Sequence, residues 1–273
     1  MKKYIAPGAW FSIEYPSHWT ECEDTENSFL FFDPDQWSGN FRISAFRGED
    51  NKYAQQCINY ECAAIKDTKI IYVGEHKCGY LATDFEVDGK CFTSHHWVTG
   101  KDDLSIECSF TVDRGHEYAS GEKIVESLQL NLPKDIKEVI PARVLEISAI
   151  NEAYEWAASA IKKQLTKDFT AQEEDVASIQ KVIDCGKYKK EQRNVWEALG
   201  VAFGSILVNE MDGMKWVAQI EIGKEVAALR FADSNVMVYP FDLIWQKVKK
   251  GEKIDLAKEY ARIKDEVETF LQK

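Results

Sequence analysis

The chain has 273 residues, of which 45% are hydrophobic and 29% are charged, and its formal net charge at pH 7 is −12. This composition is typical of a globular protein and excludes collagen-like, low-complexity and disordered classes. Its apolar stretches all fall short of the roughly 20 residues that a membrane-spanning helix needs.

The negative charge is concentrated in the first half of the chain. Residues 1–130 contain 12 Lys and Arg against 22 Asp and Glu, whereas residues 131–273 contain 22 against 24. Neither half has the basic excess that nucleic-acid phosphates or an anionic membrane surface require, so we expect neither kind of partner. A basic protein partner is compatible with the acidic half. This half contains an acidic run, which consists of Glu21, Glu23, Asp24 and Glu26. We expect the run to lie in a solvated loop. The alternative is that it forms an acidic edge of the domain that contacts a basic partner.

Two features predict a cytoplasmic protein. Lys2 and Lys3 are followed by residues 10–16, Trp-Phe-Ser-Ile-Glu-Tyr-Pro, instead of the apolar run and small-residue cleavage site of a signal peptide. The seven cysteines are odd in number and form no Cys-x-x-Cys pair. We therefore expect reduced thiols in a reducing compartment.

Alternating and helical patterns in the first half predict an antiparallel sheet flanked by helices. Asp88-Gly89 is the clearest local signal, because a two-residue turn of this kind joins adjacent strands and pairs Phe85 with Phe92 across them. The predicted strands are 10–15, 29–32, 41–46, 70–73, 80–87, 90–98 and 104–112. The predicted helices are 51–66 and 118–128.

Residues 131–141 contain two prolines and alternating charge, which predicts a boundary between two domains, 1–132 and 133–273. Thr170-x-x-Glu173 fits a capping box that opens a helix ending before Gly186. Gly200 and Gly204 lie on the next predicted helix, 190–211, and allow another backbone to approach it. Three strands follow, at 216–220, 226–231 and 236–239, and then two helices, at 241–250 and 255–271. The fold class is therefore α+β, with a second helical domain that carries a small antiparallel three-stranded sheet.

Two groups of residues resemble known families. Trp10-Phe11-Ser12-Ile13-Glu14-Tyr15-Pro16-Ser17-His18-Trp19 resembles the aromatic-x-hydrophobic-x-Tyr-Pro-x-x-Trp opening of PsbP-like and Mog-type domains. The second half resembles a bacterial domain family of unknown function. That resemblance rests on Trp196-Glu197-Ala198-Leu199-Gly200-x-x-x-Gly204, Trp216-Val217, Ala228-Leu229-Arg230, Tyr239-Pro240 and Ile244. The first resemblance implies a binding or assembly module, because PsbP-like folds serve no single chemistry.

Motifs that carry chemistry are not evident. His95 and His96 are adjacent on a predicted strand and point to opposite faces, and the five histidines show no His-x-His or His-x-x-x-His pair, so we expect no metal site. Cys108 belongs to an alternating apolar stripe, which predicts an inert core thiol. Cys91 and Cys108 are the cysteines that a Cys–His enzyme would use. We expect no cofactor and no catalytic residue, and the prediction leans against an enzyme.

Five residues are candidates for binding, and three of them are aromatic. Trp37 lies beside Ser38-Gly39 and is the expected exposed aromatic residue of the first domain. Glu210, Trp216, Arg230 and Tyr239 are expected near one end of the small sheet, where an arginine is suited to a carboxylate. Glu225 is close to Arg230, but their odd separation places them on opposite faces of one strand.

The favoured hypothesis is a non-enzymatic module that recognises a protein partner, possibly a basic one, through the acidic first domain or through the cleft between the two domains. Two alternatives stay open. An immunity-type protein would neutralise a toxin through tight, salt-sensitive association. A sensor or enzyme for a small anionic ligand would use the region of Trp216 and Arg230.

Overall fold

The computed structural model describes residues 1–25, 27–133, 135–221 and 223–272. The chain forms two compact units, Met1–Ile136 and Lys137–Lys273. Both mix helices with antiparallel strands, so the protein has the α+β fold class expected from its sequence. Glu26 of the acidic run lies outside the described residues.

The first unit contains an antiparallel sheet of seven strands. The strands are β3 (Thr20–Thr25), β4 (Ser28–Phe32), β5 (Asn40–Arg47), β6 (Lys69–Val73), β7 (His76–Val87), β8 (Lys90–Lys101) and β9 (Leu104–Asp113). Their spatial order is β3-β4-β5-β9-β8-β7-β6. The predicted pairing of Phe85 with Phe92 is confirmed by the β7–β8 register, because a two-residue loop leaves only one register for its hairpin.

A second, smaller sheet completes the first unit. It consists of β1 (Lys2–Ile5), β2 (Phe11–Tyr15) and β10 (Gln129–Leu130), in the order β1-β2-β10. Helices α1 (Tyr53–Ala64) and α2 (Ala119–Glu126) pack against strands of the unit. Alternate residues of the long strands point into one core with residues of β2 and α2, as the period of two in their sequence requires.

The second unit is built from five helices and a small sheet. The helices are α3 (Val144–Leu165), α4 (Asp175–Asp184), α5 (Arg193–Glu210), α6 (Pro240–Lys250) and α7 (Leu256–Leu271). The sheet is β11 (Glu138–Pro141), β12 (Met214–Glu221), β13 (Lys224–Phe231) and β14 (Met237–Val238), in that order and antiparallel. Helix α5 is buried along most of its length and supplies the centre of the core.

Gly200 and Gly204 do allow another backbone to approach α5, as predicted. A Cβ built at Gly200 would lie 2.0 Å from the carbonyl oxygen of Pro240, and one at Gly204 would lie 2.7 Å from the ring of the same proline. The two glycines therefore let the first turn of α6 pack directly on α5.

Several local predictions are corrected by the structure. Glu21 and Glu23 lie on β3 and not in a loop, because that segment pairs with β4. The small sheet has four strands and not three, because the region read as a linker contains β11. Thr170 and Glu173 form no capping box. Helix α4 begins at Asp175, whose carboxylate accepts the backbone N–H of Thr170.

Among the described helices, none combines the length and the apolarity that crossing a membrane requires.

Candidate functional site

Trp37 is held at the surface of the first unit by the loop between β4 and β5. Asp33 begins this loop, and its Oδ1 accepts the backbone N–H groups of Asp35 at 3.0 Å and of Gln36 at 3.4 Å. A side-chain oxygen that caps its own turn in this way fixes the following residues. The indole of Trp37 is 51% exposed, and its Nε1 donates to Asp113 Oδ1 at 3.0 Å. The expected exposed aromatic residue is thus exposed and oriented.

Three aromatic rings form a continuous row on one face of the seven-stranded sheet. The ring of Trp37 meets the ring of Phe92 edge to face with centroids 5.9 Å apart, and Phe92 stacks on Phe85 at 5.7 Å. Phe85 is 38% exposed. Geometries of this kind stabilise ring pairs beyond the area they bury. We call Trp37, Phe92 and Phe85 the aromatic row.

Carboxylates lie close to the aromatic row. Asp113 accepts the indole N–H of Trp37, and Asp84 is 3.2 Å from Nε of Arg114. Asp84 also accepts the hydroxyl of Thr93 at 2.7 Å. Glu86 is exposed on β7, next to Phe85 in the chain. Asp113 pairs with Phe92 across the strands and lies on the face of the aromatic row, whereas Asp84 and Glu86 alternate with Phe85 along β7 and lie on the opposite face. The hairpin therefore presents rings on one face and carboxylates on the other, which is an arrangement suited to a protein with basic and apolar groups.

The four candidate residues of the second unit do not form one pocket. Trp216 pairs with Leu229 in the sheet register and Arg230 pairs with Lys215, so Trp216 and Arg230 point to opposite faces. Arg230 donates from Nε to the carbonyl of Ser234 at 2.8 Å and from Nη2 to that of Asp233 at 2.7 Å. The guanidinium thus binds the turn after its own strand.

The remaining two candidates also bind neighbouring groups of the second unit. Tyr239 donates its hydroxyl hydrogen to Oε1 of Gln219 at 2.6 Å. Glu210, at the end of α5, accepts the backbone N–H of Glu173 at 3.0 Å. Both contacts connect segments that are distant in sequence, which is the contact pattern of residues that position loops.

A buried ion pair at the start of α3 was missed from the sequence. Arg143 is 2% exposed, and its guanidinium donates to Glu146 and, at 2.6 Å, to Glu225. Burial acts to lower the pKa of Arg143, but the hydrogen bonds and charges of Glu146 and Glu225 raise it overall. The signal was Arg143-x-x-Glu146, because Glu146 also accepts the backbone N–H of Arg143 at 2.9 Å as a capping residue does.

This ion pair lines a cavity of about 510 Å³ together with Tyr239 and Asp242. The carboxylates of Glu146 and Glu225 both bind the guanidinium of Arg143, so its positive charge is neutralised within the unit. These ion pairs connect α3 to β13, which is a structural role.

Of the groups that a Cys–His enzyme would use, Cys108 and His95 are buried, whereas Cys91 is half-buried on β8. Cys108 is buried, and burial raises the pKa of its thiol well above the usual range, so it stays protonated at neutral pH. The ring of His95 stacks on Tyr118 at 3.8 Å, and its Nδ1 is 2.8 Å from the hydroxyl oxygen of Tyr80. Burial lowers the pKa of His95. In the part of the chain that the structure describes, no group of three or more His, Cys, Asp or Glu side chains is placed to hold a metal ion.

Comparisons with known proteins give two family matches in tandem. The model described as "Domain of unknown function (DUF3805)" matches residues 1–151, and that described as "Domain of unknown function (DUF3806)" matches residues 175–260. The coarse expectation of two domains in tandem, the second of unknown function, is confirmed. No curated protein matches the chain.

Two solved structures are similar to the chain to very different degrees. A crystal structure from Bacteroides thetaiotaomicron VPI-5482 shares 40% sequence identity with a TM-score of 0.92, covering 97% of this chain and 98% of that chain. The solution structure of cyanobacterial PsbP (CyanoP) from Synechocystis sp. PCC 6803 shares 10% identity with a TM-score of 0.27, covering 47% of this chain and 91% of that chain. A TM-score of that size carries no argument about fold, and the Mog-type part of the resemblance receives no support.

Proposed function

We propose that this member of the DUF3805 family of domains of unknown function is a non-enzymatic module that recognises a basic protein partner. The observation that carries the proposal is the aromatic row, in which the exposed rings of Trp37 and Phe85 flank the half-buried ring of Phe92, within an acidic unit. Tryptophan and other aromatic side chains dominate the binding energy of protein interfaces.

The aromatic row is ordered before any partner arrives. The hydrogen bond from Trp37 to Asp113 and the contact with Phe92 restrict the indole on two sides. Ordering a flexible side chain on binding costs about 0.5–1.5 kcal/mol. A ring that is already fixed avoids most of this cost, which favours a role in recognition.

The charge distribution favours a basic partner. Residues 1–130 carry a formal charge of −10, from 12 Lys and Arg against 22 Asp and Glu. An acidic surface of this kind attracts cationic proteins over a distance set by the ionic strength, about 10 Å at 0.1 M salt. Association through the first unit should therefore weaken as salt is added.

The alternatives have less support. A small anionic ligand at Arg230 would compete with two backbone carbonyls that the guanidinium already binds. An immunity-type protein that neutralises a basic toxin would use the same acidic surface, and it is the tight-binding form of the present proposal.

Two finer expectations belong to the proposal. A cytoplasmic location is supported by the odd number of cysteines, which form no Cys-x-x-Cys pair. Kinship of the first unit with PsbP-like domains is supported by the motif at residues 10–19.

The test uses the full chain as bait in a lysate of its native organism, at low and at high salt. Wild type and Trp37→Ala are compared with Tyr60→Ala, a control that removes an exposed aromatic ring outside the row. We expect a protein retained at low salt by wild type and by Tyr60→Ala, released at high salt, and lost with Trp37→Ala. Equal recovery by the wild type and Trp37→Ala, or binding that salt does not weaken, would contradict the proposal.

A further inference from the structure

The tip of the β7–β8 hairpin has an open edge. Strand β6 pairs only with His76–Tyr80 of β7, whereas β8 pairs with β7 from Gly79 to Val87. No strand of the described chain pairs with residues 81–87 on the side away from β8. Residues 82–87 are exposed. An unpaired edge of this length is a template for a further strand.

The register shows which backbone groups face the open edge. Asp88 and Gly89 have φ of 51° and 75°, which is the conformation of a type I′ two-residue turn. Such a turn makes Val87 and Lys90 a hydrogen-bonded pair, and pairs alternate from there, so Glu86 and Cys91 are not hydrogen-bonded to each other. The carbonyl of Cys91 indeed accepts from Arg114 N at 2.9 Å, on the side of β9.

The same alternation applies along the strand. The backbone N–H and C=O groups of Ala82, Asp84 and Glu86 therefore point away from β8 and toward the open edge. Three consecutive sets of donors and acceptors are thus presented to solvent along one line.

We propose that this open edge binds an extended, cationic segment of the partner protein as an additional strand. The inference rests on the proposed function, because it names the chemistry of the partner that the acidic unit would recognise. Main-chain hydrogen bonds supply affinity in strand addition, and alternate side chains supply specificity.

The side chains of β7 define the sequence that fits. Residues opposite Asp84 and Glu86 in an added strand lie on the face of these carboxylates and are suited to Lys or Arg. Arg114 pairs with Asp84, but Glu86 makes no ion pair with any residue that the structure describes. Residues opposite Phe85 and Val87 lie on the face of the aromatic row and are suited to apolar side chains. The occupant is therefore a segment in which basic and apolar residues alternate.

A second copy of this chain is a poorer occupant. Antiparallel pairing of two such edges, centred on residue 84 or 85, would place Asp84 opposite Asp84 or opposite Glu86. Like charges directly opposite each other destabilise a strand pair. Charge complementarity thus favours a basic partner over self-association.

The first test measures binding of labelled synthetic peptides to the full chain by fluorescence anisotropy. The probe is an extended peptide of alternating lysine and valine, and its control alternates glutamate and valine. Two further probes carry N-methyl groups on all lysines or on all valines. If strand addition occurs, the parent peptide binds and the glutamate peptide does not. One methylated peptide then loses affinity at least about tenfold, while the other keeps the affinity of the parent. Equal affinity of all three lysine peptides would overturn the proposal, as would absence of binding by the parent.

The second test removes one outward-facing N–H from the protein. Ala82→Pro changes no charge, and a proline is tolerated on an edge where its nitrogen faces solvent. Glu86→Ala is the companion variant that removes charge and keeps the N–H. We expect about a tenfold loss of peptide affinity for Ala82→Pro and about a threefold loss for Glu86→Ala, with unchanged circular dichroism. Full binding by a folded Ala82→Pro variant contradicts the inference. If that variant fails to fold, the methylated peptides decide.

The failure of this inference can be told apart from the failure of the proposed function. A cellular partner that is lost with Trp37→Ala but retained with Ala82→Pro would overturn strand addition and leave the aromatic row as the binding surface. A wild-type dimer that dissociates with Ala82→Pro in the absence of peptide would overturn the choice of occupant.

Discussion

Asp175 is a fully buried carboxylate at the start of α4, and its environment stabilises the charged form. Its oxygens accept from Lys167 Nζ at 2.7 Å, from the backbone N–H of Thr170 at 2.8 Å and from the hydroxyl of Ser178 at 3.3 Å. Burial acts to raise the pKa of Asp175, but the hydrogen bonds from Lys167 and Thr170 lower it below its usual range. The carboxylate of Asp175 therefore connects the segment that contains Lys167 and Thr170 to the start of α4.

The direction of this pKa shift determines how stability depends on pH. Because the folded-state pKa of Asp175 lies below the unfolded value of about 3.9, unfolding at low pH takes up a proton. The stabilisation is fully present above about pH 5 and is lost as the pH falls through the folded-state pKa. We expect Asp175→Asn to lower the free energy of unfolding by about 2 kcal/mol at pH 7, and by clearly less at pH 3. Urea unfolding of the full chain at both pH values measures the difference.

Asp168→Asn is the matched control. Asp168 pairs with Lys162 at 2.7 Å, but both side chains are well exposed, and exposed pairs of this kind contribute little. Its removal should leave unfolding at pH 7 unchanged. A loss equal to that of Asp175→Asn, or an Asp175→Asn effect that is the same at both pH values, would count against the argument.

The same residue shows why a correct motif can predict the wrong contact. Thr170-x-x-Glu173 has the spacing of a capping box, yet both the N–H and the hydroxyl of Thr170 donate to Asp175. The buried carboxylate of Asp175, paired with Lys167, lies within reach of both donors, whereas the carboxylate of Glu173 accepts the hydroxyl of Tyr260 at 3.2 Å. Local spacing carries no information about these contacts.

At the scale of the element, the contact between α5 and α6 depends on the absence of a side chain. Ala at position 200 would place its Cβ 2.0 Å from the carbonyl oxygen of Pro240. An exposed helical Gly→Ala change gains up to about 1 kcal/mol, whereas overpacking costs about 1–3 kcal/mol. Here the obstacle is backbone, so we expect Gly200→Ala to destabilise the second unit by about 2 kcal/mol or more, as measured by urea unfolding.

Ser205→Ala on the same helix is the comparison for Gly200→Ala. The hydroxyl of Ser205 donates to the carbonyl of Val201, four residues earlier, at 3.0 Å, a bond that adds little to helix stability. The expected change is within about 0.5 kcal/mol. A Gly200→Ala variant that is more stable than wild type would show that α6 can move away from α5 at no cost.

Strands were predictable where their own sequence determines them. The β7–β8 hairpin has a turn that fixes its register, and both of its strands alternate. Strand β3, Thr-Glu-Cys-Glu-Asp-Thr, lacks such a pattern and becomes a strand because β4 offers it an apolar partner. The sequence of β11 predicts a linker, because residues 131–141 contain two prolines and alternating charge, yet proline is tolerated at the end of an edge strand.

The aromatic row needed information from the whole sheet. The pairing of Phe85 with Phe92 and the exposure of Trp37 were each predicted from local sequence. The contact between Trp37 and Phe92 depends on the strand order β5-β9-β8-β7, which brings the loop before β5 close to β8, a strand distant in sequence. Non-consecutive strand neighbours do not follow from the pattern of any one segment, so the site was predicted in parts and assembled only by the fold.

At the scale of the molecule, two separate hydrophobic cores account for the two units. The core of the first unit draws on residues between Tyr4 and Leu128, and that of the second on residues between Ala157 and Val267. Each unit has more than 130 residues, a length at which a single core is normally sufficient for folding. We therefore propose that each unit folds when produced alone.

The prediction is that fragments 1–136 and 137–273 each give a cooperative urea transition and dispersed amide signals in NMR.

Two shorter fragments are the controls. Fragment 1–118 lacks α2, and with it the buried Ile124 and Val125. Fragment 143–273 lacks β11, whose Ile140 is buried opposite Ala218. Losing two or three fully buried aliphatic side chains costs several kcal/mol, comparable with the whole stability of a domain. Fragment 1–118 should therefore fail to fold, and 143–273 should be clearly less stable than 137–273. If fragment 143–273 unfolds cooperatively at the same urea concentration as 137–273, then β11 does not stabilise the second unit and acts as the linker that its sequence predicts.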